Sequence, residues 1–112
     1  MSEKRKYKRA SLVSYLDVHD TMTNKDIGYV VDISQSGMLL ISKNSIPVDI
    51  SMILDIKVPE EITETKAFNV TVKSIRSIKD GDLDYFNTAF VFNELKSDDL
   101  LVLDNIIAAF EF

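Results

Sequence analysis

The stretch Gly28-Tyr29-Val30-Val31-Asp32-Ile33-Ser34-Gln35-Ser36-Gly37-Met38-Leu39-Leu40-Ile41-Ser42 sets two apolar runs on either side of a short polar turn. Such a pattern predicts a β-hairpin, with strands over 27–34 and 38–42 and a glycine at the tight position. Side chains alternate along a strand, so Tyr29, Val31 and Ile33 are expected on one face and Asp32 with Ser34 on the other. A carboxylate and a hydroxyl then stand about 7 Å apart as a paired acceptor and donor. Gly37 allows either a positive φ or the close approach of a ligand to the main chain. This polarity at the end of an otherwise apolar strand is what the rest of the chain has to explain.

Upstream of the hairpin, residues 21–26 form a polar turn, and residues 11–20 alternate loosely with Leu12, Leu16 and Val18 on one face, which predicts the first strand. His19 near its end reads as a surface residue rather than a ligand. Residues 1–11 lack apolar periodicity and read as a basic arm, mobile unless something holds it, ahead of a single domain over 12–112.

Downstream, a loop containing Pro47 leads to a strand with Met52, Leu54, Ile56 and Val58 facing in and Asp55 and Lys57 facing out, stopped by Pro59. An acidic connection over 60–65 follows. The next strand, 66–79, changes phase: Phe68, Val70 and Val72 share one parity and Ile75 has the other. One extra residue near Lys73-Ser74 brings Ile75 back to the inner face, so a β-bulge is expected there. Asp80-Gly81-Asp82 is a turn, and the sixth strand aligns Phe86, Thr88, Phe90 and Phe92 on one face as core. The last segment has helical period. Ser97 is the expected cap, Asp98 and Asp99 suit the positive end, and Leu100, Leu103, Ile107 and Phe110 form the apolar stripe, widened by Leu101, Ile106 and Phe112. Six strands joined by connections short enough for antiparallel neighbours are most economically closed. The prediction is a mainly β fold, a six-stranded antiparallel β-barrel with a C-terminal α-helix.

At 112 residues, 46% hydrophobic and 28% charged, the chain suits one domain with an ordinary core. There is no cysteine and one histidine, which leaves disulfides, thiolate metal sites, histidine metal clusters and Ser/His/Asp triads little to build on. The basic, polar N-terminus and the want of a spanning apolar run predict a cytoplasmic protein with no membrane association. Net charge is −5, unevenly spread. Of the 13 basic and 18 acidic residues, five and one lie within residues 1–9, a net of +4; the other 103 residues hold 8 and 17, a net of −9. A cationic arm is attached to an acidic body.

Catalysis is not expected. Asp32 and Ser34 lack a histidine or lysine base at a recognisable spacing, no Gly-rich phosphate loop leads into a helix, and the acidic residues do not have calcium-loop spacing. Neither a cofactor nor a metal is predicted. The donors and acceptors do suit a guanine nucleotide. An arginine fork donates to guanine O6 and N7 or clasps a phosphate, and a carboxylate accepts from the guanine N1–H and amino group.

An Arg-x-x-x-Arg arm, Arg5 to Arg9, followed after a strand by Asp-x-Ser-x-x-Gly at Asp32, Ser34 and Gly37, resembles the PilZ family of cyclic di-GMP receptors. The likeness runs over nearly the whole chain, and no motif position is substituted. It implies that Arg5 and Arg9 grip phosphates and the Hoogsteen edges of the guanines, that Asp32 and Ser34 meet a guanine and nearby backbone on the outer barrel wall, and that Gly37 is the close-approach glycine. Lys4, Lys6, Tyr7 and Lys8 enter as helpers by proximity alone. The function expected is that of a cyclic di-GMP receptor whose arm changes conformation on binding and signals to a downstream protein partner, as a monomer or weak homodimer without DNA binding. The alternative is a protein-interaction domain of PilZ-like fold that binds no nucleotide, its arm and helix docking on a partner. Weak nucleic-acid binding through the arm is a third reading.

Overall fold

Six strands and one helix follow one another: β1 (Arg9–Asp20), β2 (Lys25–Ser34), β3 (Gly37–Ser42), β4 (Ser51–Lys57), β5 (Ala67–Lys79), β6 (Phe86–Asn93) and α1 (Ser97–Phe110). The structure is a computed structural model that describes residues 9–59, 67–93 and 95–110, of which 9–15, 67 and 110 are described by their main chain. The expected connection over 60–65 and the side chains of Leu12, Phe110 and Phe112 lie outside that description.

All strand pairs are antiparallel, and the sheet closes as a barrel in the order β1-β2-β3-β6-β5-β4. One connection departs from the expected run of neighbours. β3 lies beside β6 while β4 lies between β1 and β5, so residues 43–50 cross the barrel. Ile46 on this crossing is buried in the core, and its N–H donates to Ser77 Oγ at 3.2 Å. Ile46 alone plugs the barrel end, with its N–H satisfied, while residues 43–45 and 47–50 of the crossing stay exposed.

Each strand sends alternate side chains inward. Leu16 and Val18 of β1, Leu54 and Ile56 of β4, Phe68, Val70 and Val72 of β5 and Phe90 of β6 are all buried, as their spacing predicts. Burial of one such side chain contributes about 1.5–3 kcal/mol, and this shared interior is the main term holding the barrel closed. Phe86 and Phe92 are partly exposed, and Thr88 is fully buried with its hydroxyl 2.8 Å from that of Ser77.

Two bulges alter the expected parity. On β2, Val30 pairs with Leu40 and Asp32 with the adjacent Leu39, so Val31 is an extra residue. Val30 and Ile33 therefore both face the core, and Val31 does not share a face with Ile33. On β5, Ser74 pairs with Phe90 and Arg76 with Ala89, which makes Ile75 the extra residue. The bulge is present close to the expected place, but it leaves Ile75 54% exposed and puts Ser74 at the inward position. A bulged residue is unpaired and takes whichever side the bend gives it.

The helix rests chiefly on β1, and also on β2 and β5. β1 pairs with β4 only over Val18 to Asp20, and α1 covers the side left open. Its buried stripe is Leu103, Ile106 and Ile107. Leu100 and Leu101 were expected in the apolar surface but are 37% and 64% exposed, because the stripe that faces the barrel is one turn further along. The cap also shifts by one residue. Lys96 N–H donates to Asp99 Oδ2 at 3.1 Å, half of a capping box with Lys96 rather than Ser97 at the cap.

Candidate functional site

The polar turn joins β2 to β3 through the two residues Gln35 and Ser36. Asp32 pairs with Leu39, whose neighbours Met38 and Leu40 are buried, so Asp32 belongs to the outer wall. Ser34, two residues on, shares that side. Both are nonetheless only 9% and 8% exposed. The predicted pairing of carboxylate and hydroxyl on one face is thus present, and the bulge at Val31 is what lets Asp32 stay outside between two inward residues.

On the other flank of β2, Arg9 pairs with Ser34, Ala10 with Ile33 and Ser11 with Asp32. The next pair is Leu16 with Val30, so residues 12–15 of β1 stand opposite the single Val31. β1 begins at Arg9, two residues before the expected strand start, and the main chain of the second motif arginine lies in the sheet beside the turn. The Arg9 side chain, Arg5 and the four helper residues Lys4, Lys6, Tyr7 and Lys8 lie outside the described residues.

Ser34 has a local structural task. Its Oγ accepts the Ser36 N–H at 3.2 Å and lies 3.0 Å from Ser36 Oγ, the hydrogen-bonded turn to which serine is suited. The Ser36 carbonyl in turn accepts the Phe92 N–H at 3.0 Å, tying the turn to β6. Gly37 has no positive φ. Glycine is required there because a Cβ would fall 2.1 Å from the Phe90 carbonyl oxygen. Of the two roles expected for Gly37, the positive φ is absent, and the close approach seen is that of the neighbouring strand. Gly28 is constrained in the same way, with φ at 148° and a Cβ position 2.1 Å from the Ile41 oxygen.

Sequence reasoning missed Gln35 and Asp104. Gln35 Nε2 donates to Asp104 Oδ1 at 2.5 Å, which fastens the turn to α1. A separation of 69 residues leaves no local signal for this contact. Ser36 was legible, since Ser-x-Ser before glycine is a turn pattern. His19 Nε2 lies 2.6 Å from Asp26 Oδ1, and no group of three potential metal ligands occurs among the described residues. No described helix is long and apolar enough to cross a membrane. A cavity of about 560 Å3 opens near the start of β2, between Lys25–Tyr29 and Ile41–Pro47, and none of the predicted site residues lines it.

The PilZ domain family matches residues 3–109. No curated protein matches the sequence. Among solved structures, the inhibitor of motility MotI/DgrA of Bacillus subtilis is similar with a TM-score of 0.78 and 20% identity, over 96% of this chain and 51% of that one. The PilZ domain of YcgR from Escherichia coli, solved with cyclic di-GMP, gives 0.71 and 18% over 97% and 92% of the two chains. YcgR in complex with cyclic di-GMP gives 0.72 and 15%, over 97% of this chain and 46% of that one. The chain thus spans about half the length of MotI/DgrA and of that YcgR chain. At these identities the likeness is one of fold.

Proposed function

The chain belongs to the PilZ domain family, and from that premise we propose that it is a receptor for cyclic di-GMP. The fixed half of the site is Asp32, Ser34 and Gly37 on the β2–β3 turn, and the other half is Arg5 and Arg9. The observation that carries this reading is the pairing of Arg9 with Ser34, which puts the end of the arginine motif on the strand next to the turn. The YcgR PilZ domain, solved with cyclic di-GMP, has the same fold.

The chemistry is complementary. Arginine forks donate to phosphate oxygens and to guanine O6 and N7, and Asp32 accepts from the guanine N1–H and amino group. Cyclic di-GMP carries two negative charges, so a stacked pair brings four, equal and opposite to the +4 of residues 1–9. Neutralised by ligand, the arm is drawn onto the outer wall beside Ser34, and the surface so formed is read by a partner protein. The receptor carries out no reaction and needs neither metal nor cofactor.

Titration calorimetry with cyclic di-GMP tests the assignment and gives the stoichiometry. Saturable binding, absent with GTP and GMP, supports it. Equal affinity in the parent, Arg9→Ala and Asp32→Asn chains would sink it. One observation favours the interaction-domain alternative: Ser34 is engaged by Ser36, and Gly37 is explained by Phe90, so each has a purely architectural reason to be present. Failure of every nucleotide to bind selects that reading.

A further inference from the structure

We propose that the open edge at the start of β2 takes up an extended, basic segment of a partner protein as an added strand, with an apolar side chain of that segment seated in the cavity beside it. The strand register makes the edge. β2 pairs with β1 as far back as Lys25, but its ladder with β3 goes no further than Tyr29 with Ile41. Val18 pairs with Gly28 and His19 with Asp26, so Ile27 is the extra residue of a further bulge, which bends the strand. β2 and β3 are still in contact at Gly28, where a Cβ would fall 2.1 Å from the Ile41 oxygen. Residues 25–27 thus have β1 on one side and no strand on the other among the described residues.

The gap left there is a cavity rather than a packed seam. Its volume of about 560 Å3 lies within the usual range for ligand pockets. Ile27, Ile41, Ile46 and Met52 supply an aliphatic lining, and Tyr29 and Tyr85 an aromatic one. Two of its walls are anchored: the Ile46 N–H donates to Ser77 Oγ at 3.2 Å, and the Tyr85 carbonyl accepts the Asp80 N–H at 2.9 Å. An unpaired strand edge offers main-chain donors and acceptors to an extended chain, and an adjoining apolar pocket selects one of its alternate side chains. A site already formed binds with little ordering cost.

Charge decides which segment. The lining itself is balanced, with Lys25 and Lys43 against Asp17 and Asp26. Its surroundings are not. Asp20 pairs with Lys25 across the β1–β2 ladder, and the turn that closes on Tyr85 carries Asp80, Asp82 and Asp84 after Lys79 alone. Beyond Pro47, Asp49 and Lys73 offset each other at 2.9 Å. Lining and surroundings without that pair hold six aspartates and three lysines, a net of −3 with His19 neutral. His19 binds Asp26 at 2.6 Å, and even when charged it leaves the balance negative. Such a rim repels a nucleotide or an anionic membrane, and it suits arginine or lysine side chains flanking an apolar one. Ser34 lies nine residues beyond Lys25, roughly 25–30 Å along the strand, so this site is separate from the nucleotide site and does not rest on that reading.

The test uses the full chain and three synthetic peptides: one of alternating arginine and leucine, one with glutamate for arginine, and the backbone N-methylated form of the first, which keeps its charge but has no strand donors. Fluorescence anisotropy and amide chemical shifts are followed. The arginine peptide is expected to bind at least about tenfold more tightly than either of the others, with shifts centred on residues 25–29 and 41–47. Asp17→Lys/Asp84→Lys should weaken it about tenfold while leaving the melting temperature near that of the parent, since both are exposed. Failure of the arginine peptide to bind, equal binding of the glutamate peptide, or shifts centred on α1 or on the β2–β3 turn overturns the proposal. Equal binding of the N-methylated peptide also overturns it, because the site then reads charge without adding a strand. A second copy would offer its basic residues 1–9; self-association in sedimentation that the double variant abolishes assigns the site to that copy and overturns the proposal as well.

Discussion

Arg9 and Ser34 are paired across the β1–β2 ladder, two positions along from the pairing of Ser11 with Asp32. The end of the arginine motif is therefore built into the barrel. Each charged hydrogen bond to ligand contributes about 1.5–3 kcal/mol, so Arg9→Ala should weaken cyclic di-GMP binding roughly ten- to a hundredfold. Calorimetry checks the affinity. A thermal melt without ligand should be little changed, because alanine retains the main-chain pairing; a large loss of stability would instead mark the side chain as structural.

Ligand that binds the folded state alone raises its stability. At a hundredfold excess over the dissociation constant the gain is about 2.7 kcal/mol, which for a domain near this size corresponds to a rise in melting temperature of roughly 10 °C. Cyclic di-GMP should produce such a shift, and GTP or GMP at the same concentration should not. An equal shift with all three would reduce the site to a general anion patch.

Gly37 should be intolerant for a reason independent of ligand. In Gly37→Ala the new methyl meets the Phe90 carbonyl, a backbone atom that cannot rotate away. Overpacking of this kind costs about 1–3 kcal/mol. The melting temperature of the free protein should fall by several degrees, and nucleotide affinity should be judged only below that transition. A free protein that melts like the parent would show that β3 and β6 can part at little cost.

Most of the barrel was legible because burial imposes period two on strands and the helix period on α1. Val18, Leu54, Ile56, Val70 and Phe90 all stand where alternation puts them. Both parity errors, at Val31 and Ile75, come from bulges, where one unpaired residue inverts everything after it and composition does not say on which side it will fall. The crossing of residues 43–50 was missed because a loop length fixes the largest span of a connection but not its destination. At the site, alternation and turn chemistry were enough to place Asp32 and Ser34 on one wall. The contact of Gln35 with Asp104 was beyond reach, since it depends on where α1 docks and on nothing near either residue.

Ser74 gives the clearest test of a polar side chain in the core. It is fully buried, donates to Pro47 O and accepts from Ile50 N–H. In Ser74→Ala both partners lose that hydroxyl; Pro47 and Ile50 are exposed, so water can take its place and the loss is that of an ordinary hydrogen bond or two, about 0.5–1.5 kcal/mol each. Denaturant unfolding should show that loss, with amide exchange quickening most at residues 47–50.

The turn and the helix are coupled through Gln35 and Asp104, and a double-mutant cycle isolates the coupling. The contact is exposed, so water competes for both groups, but Asp104 brings a charge that strengthens the bond. Gln35→Ala and Asp104→Ala should each destabilise slightly, and their combined effect should fall short of the sum by about 0.5–1.5 kcal/mol. Repeating the cycle with saturating cyclic di-GMP asks whether the turn moves. A coupling energy unchanged by ligand means that the β2–β3 turn binds as a fixed wall and that the arm alone responds. A coupling that disappears means that α1 is released as ligand binds, and the output surface then includes the exposed Leu100 and Leu101.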